Sequence, residues 1–73
     1  MADNPGVEFT ALHNETIRLV KDMPFDVDAA IAHRRALLDF ISRAREARLD
    51  LLCEAADTDQ RDLGVLVTIA IRD

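Results

Sequence analysis

The chain is poor in the residues that staple small folds. Cys53 is the only cysteine, so no internal disulfide can brace it. His13, His33 and Cys53 stand twenty residues apart, with no CxxC or HxxxH spacing, so no metal site and no cofactor is expected. Trp and Tyr are absent and Phe occurs three times, which leaves few platforms for stacking single-stranded nucleic acid. Basic charge is also short: nine Lys and Arg face fourteen Asp and Glu, for a net −5. That balance argues against a generic binder of nucleic acid or of anionic membranes. The longest uncharged run in the body of the chain, Leu63 to Ile71, is nine residues. A spanning helix needs about 20.

Chemical motifs are missing too. There is no Gly-rich phosphate loop and no nucleophile with a paired base, and the chain is short for enclosing a pocket, so no enzymatic role is expected. A helix-turn-helix reader of DNA would need base-reading side chains on its second helix, and Leu63 to Ile71 offers none. The opening Met1-Ala2-Asp3-Asn4-Pro5-Gly6 has neither a basic region nor an apolar stretch, so no secretory signal is expected and a cytoplasmic location is the economical expectation.

What remains is 49% hydrophobic and 32% charged, rich in Ala, Leu, Arg, Asp and Glu, with two Gly and two Pro in 73 residues. This composition predicts one small all-α domain. Residues 1–6 read as a tail closed by an Asn-Pro-Gly turn, and 7–73 as the domain. Phe9, Leu12, Thr16, Leu19, Val20 and Met23 recur at three- and four-residue steps, which predicts a helix over about 8–22, ended by Pro24. Asp26 is placed to cap a second helix, with Phe25 just before it as an apolar clamp.

The second helix is expected to be long. No Gly or Pro interrupts the chain before Gly64, and the helical pattern runs over about 27–56, a rod of about 45 Å. Asp57-Thr58-Asp59-Gln60 resembles a capping box and predicts a tight turn into a third helix over about 59–72. Within that segment Val65, Val67, Ile69 and Ile71 alternate as a strand would, while Leu63, Leu66, Val67 and Ala70 fit a helical face; helix is the favoured reading.

On a helical wheel the rod carries Asp28, Arg35, Asp39, Ser42, Arg43, Glu46, Asp50 and Glu54 on its polar arc, and its apolar arc is roughly twice the 100° that one neighbour can cover. Small domains without disulfide or metal need further support. The expectation is therefore helical-bundle packing in a homodimer or higher oligomer, with Ile31, Leu38, Ile41, Leu49, Leu52, Leu66 and Ile69 at the interface. Five of the eight Arg fall between residues 34 and 48, against only Asp39 and Glu46. Arg34, Arg45 and Arg48 project from the apolar arc, with His33 at its edge.

These features predict an acidic interaction module that binds another protein and inhibits, chaperones or regulates it. Arg34, Phe40, Arg45 and Arg48 are the expected anchors, because buried aromatic and Arg side chains carry most interface energy. The alternative is an oligomeric binder of a small anionic or nucleotide ligand, with His33, Arg34, Arg45 and Arg48 forming the site, since a guanidinium fork suits carboxylate and phosphate.

Overall fold

The computed structural model describes residues 4–72. Three helices follow in order: α1 over Pro5–Lys21, α2 over Val27–Glu46 and α3 over Asp50–Arg72. No strand is present among the described residues, and Leu63 to Ile71 is helical throughout. The helices run up, down and up as an elongated bundle of 39 × 17 × 16 Å.

Local chemistry sets each start. Asn4 is the N-cap of α1, its Oδ1 accepting from the Val7 amide at 3.1 Å, and Pro5 occupies the first turn, where its missing N–H is not needed. The Asn-Pro-Gly signal thus opens a helix; it does not close a tail, and the part of the expected tail in residues 1–3 lies outside the described residues. Asp26 caps α2 as expected, accepting from the Ala29 amide at 3.0 Å, and Phe25 packs against the core beside it.

The long central helix is not formed. The rod expected over 27–56 ends at Glu46, and the chain reverses through Ala47, Arg48 and Leu49. Arg48 adopts φ 60°, the left-handed region. Its amide bonds to the Arg45 carbonyl at 3.1 Å, and the Leu49 amide bonds to the Ala44 carbonyl at 2.9 Å. This is the Schellman arrangement, which satisfies the free carbonyls at a helix C-terminus, here with Arg where Gly is usual. Leu49 then folds onto the core and completes the motif's apolar contact.

The expected Asp57–Gln60 turn falls inside α3 instead. Gln60 Nε2 donates to Asp57 Oδ1 at 2.8 Å, a one-turn contact within a continuous helix that shares the residue spacing of a capping box.

Folding the rod back on itself lets α2 and α3 each cover part of the other's apolar arc. Leu19, Leu37, Phe40 and Leu63 fill the centre at 0–1% exposure, with Ala30, Ile41, Ala44 and Ala56 around them. Phe9 meets Phe40 with ring centroids 6.0 Å apart. A layer of polar contacts crosses the bundle between helices. His13 Nδ1 lies 2.8 Å from Oδ2 of the buried Asp59, and His33 Nε2 lies 2.9 Å from the Leu12 carbonyl and 3.0 Å from Thr16 Oγ. Every buried side-chain nitrogen and oxygen among the described residues has a partner, as a stable interior requires.

Candidate functional site

The antiparallel pairing of α2 and α3 leaves a groove on the outside of the bundle. Arg34 forms its floor. The side chain crosses from α2 to α3, where Nε donates to the Gln60 backbone carbonyl at 3.1 Å and to Gln60 Oε1 at 3.0 Å. It can lie there because α3 has a glycine beneath it: a Cβ on Gly64 would sit 3.2 Å from Arg34 Nε and 3.3 Å from Cζ. Gly64 is helical and needs no special φ, so its role is space. Ile31, Leu38 and Val67 flank the floor on one side, and Val65, Thr68 and Ile69 line a depression of about 520 Å³ on the other. A third depression, between Val20, Asp62, Val65 and Leu66, continues the apolar surface toward α1.

Most exposed large hydrophobic side chains gather at this end. Leu38, Val65 and Ile69 border the groove, Ile71 lies two residues further along α3, and Ile17 and Val20 stand across the α1 side. Val65 and Ile69 are 58% and 51% exposed, although the core is closed.

The electrostatics of the floor are unusual for the chain. Arg18 pairs with Glu15 and Asp22, Arg43 with Glu8 and Asp39, and Arg61 with Asp57. The Arg43 fork reaches from α2 to α1, with Nη1 donating to Glu8 Oε1 at 3.1 Å, and holds the Glu8 carboxyl below the usual carboxylate range. The fork of Arg18 lowers Glu15 in the same way, and both guanidinium groups are raised in turn. Arg34, Arg35, Arg45, Arg48 and Arg72 make no ion pair among the described residues. Of these five, only Arg34 is half-buried. Its contacts are neutral, because the one carboxylate within the network, Asp57, is taken by Arg61 at 2.9 Å and by Gln60.

The sequence-predicted residues separate accordingly. Arg34 sits in the groove. Arg45 and Arg48 are exposed at the α2–α3 turn, and eleven residues of helix, about 16 Å of rise, part Arg34 from Arg45. His33 faces α1 and is engaged with Thr16 and Leu12. The four candidate anion ligands therefore do not converge within one protomer. Phe40 is fully enclosed and cannot offer its ring to a partner without unfolding.

Of the expected interface set, Ile31, Leu38, Leu66 and Ile69 lie on the face around the C-terminal half of α3. Ile41 is in the core, and Leu49 and Leu52 pack half-buried at the opposite end. Arg35, Arg61, Gly64 and Thr68 were not singled out from the sequence. Gly64 carried the one available signal, a lone glycine within an otherwise uninterrupted helical pattern.

No helix is long and apolar enough to cross a membrane, and no group of three or more His, Cys, Asp or Glu is arranged to hold a metal ion, among the described residues. Comparison with known protein families, with curated proteins and with solved structures finds no match.

Proposed function

We propose that this protein is a non-catalytic interaction module that binds another protein and modulates it, using the α2–α3 groove and the exposed ridge of α3 as its docking surface. One observation carries the reading: the bundle closes its own core yet leaves Leu38, Val65 and Ile69 wet around a half-buried cation. Contiguous exposed apolar surface of this kind marks interaction sites on soluble domains. The groove is open to solvent, which suits the side chains of a macromolecule better than an enclosed small molecule.

Quantitative capture from a lysate of the source cells tests this, with wild type beside a Val65→Glu, Ile69→Glu double variant. Both positions are exposed, so the variant keeps its helicity and melting temperature. The reading expects proteins retained by wild type and lost by the variant, and identical profiles sink it. Self-association belongs to the proposal in a narrower form, with a second copy covering the Val20–Leu66 side of α3. Sedimentation equilibrium that finds an 8.2 kDa species at every concentration removes that part and leaves the groove untouched.

A further inference from the structure

We infer that the α2–α3 groove receives an amphipathic helix of another protein, with a carboxylate of that helix seated on Arg34 between apolar anchors. This deepens the interaction-module reading and rests on it.

Charge points to the carboxylate. Arg34 is the one half-buried arginine among the described residues without an acidic partner. Its Nε is fixed by Gln60, so the terminal Nη groups are left as donors for an incoming acceptor. Among the described residues, Arg35 stands unpaired on one wall, Arg61 on the other is held by Asp57, and no carboxylate lines the groove around Arg34. A locally basic groove on a chain of net −5 is a selective feature.

Shape points to a helix. Ile31 and Leu38 are two turns apart on α2, about 10 Å along the axis, and Val65 and Ile69 are one turn apart on α3. Two antiparallel helices with such rows offer the furrow into which a third helix packs, its anchors spaced i, i+3 or i+4, and i+7. Other occupants fit less well. A second copy docked symmetrically would bring Arg34 and the unpaired Arg35 against their own images, with no carboxylate lining the groove to separate them. A small free anion would meet one unpaired guanidinium in an open cleft, where such pairs are weak, and would leave the apolar walls uncovered.

The test uses fluorescent synthetic helices of about 15 residues, long enough for helix to form on binding. One carries a Leu stripe at helical spacing with Glu at its centre, and its twin has Gln there. The expected result is at least about tenfold tighter binding of the Glu peptide, since hydrogen bonds to a charged group exceed neutral ones. Arg34→Gln should erase that preference. Should Arg34→Gln fold poorly, Thr68→Glu supplies the second arm: a carboxylate built into the exposed wall should compete for Arg34 and abolish the preference with no loss of melting temperature.

Equal binding of the two peptides overturns the carboxylate assignment while the interaction-module reading stands. No binding of either at millimolar concentration overturns the helix-in-groove inference, and the capture experiment above then decides the broader reading by itself. Displacement of the Glu peptide by millimolar inorganic phosphate overturns it in favour of a small-anion site. A wild-type dimer that Arg34→Gln or Thr68→Glu converts to monomer overturns it in favour of a second copy.

Discussion

Replacing Arg48 by glycine gives opposite results for a broken and an unbroken central helix. At φ 60° a residue with a Cβ is roughly 1–2 kcal/mol less favourable than glycine. Glycine's greater freedom in the unfolded chain takes back roughly 0.4–1 kcal/mol. Arg48 is exposed and makes no ion pair among the described residues, so little else is lost. Arg48→Gly should therefore stabilise the protein by about 0.5–1 kcal/mol, raising the melting temperature by roughly 2–8 °C for a domain of this size. In a continuous helix the same change would cost about 1 kcal/mol. Arg48→Val supplies the converse, a loss of about 1 kcal/mol or more, because a β-branched side chain is least tolerated in the left-handed region. Urea denaturation followed by far-ultraviolet circular dichroism resolves both. Destabilisation by glycine together with tolerance of valine would refute the turn, and with it the pairing of α2 with α3 that builds the groove.

Other perturbations probe the remaining contacts. Phe40→Ala removes the largest fully buried side chain and should cost about 3–5 kcal/mol, a large part of the stability of so small a domain, read as a collapse of the urea midpoint. Gly64→Ala should recover about 1 kcal/mol of helix propensity in an Arg34→Ala background and clearly less with Arg34 present, because the new Cβ crowds Nε and Cζ; a double-mutant cycle without coupling would remove glycine's role as a seat for Arg34. The Glu8 carboxyl is held below its ordinary value by the Arg43 fork, so its contribution is present above the unfolded-state value near pH 4–5 and is lost as the pH falls through the lower folded value. Melting curves across this acid range should fall less steeply for Glu8→Gln than for wild type, and parallel curves would contradict the ion pair's role.

Helix content, the N-cap at Asp26 and the end of α1 before Pro24 were legible in the residues, because each depends on neighbours within one or two turns; residues 63–71 carried both helical and strand periodicity, and the folded chain makes them helical. The apolar arc expected on a 30-residue rod was also real, but its meaning was not. Arg48 carries no mark of the left-handed conformation that glycine would have signalled, and a pattern that continues in phase across the turn looks like one helix. Only the tertiary structure decided that α2 folds back on α3, since burying Leu37, Ile41, Ala56 and Leu63 against one another outweighs the cost of an unfavourable φ at one residue. That reversal enclosed Phe40 and Ile41, stranded Arg45 and Arg48 at the tip, and set Arg34 against Gly64 thirty residues away. Spacing along the chain reports which side chains share a helix face, and the long-range packing of the folded chain chooses which of those faces meet and which stay open to a partner.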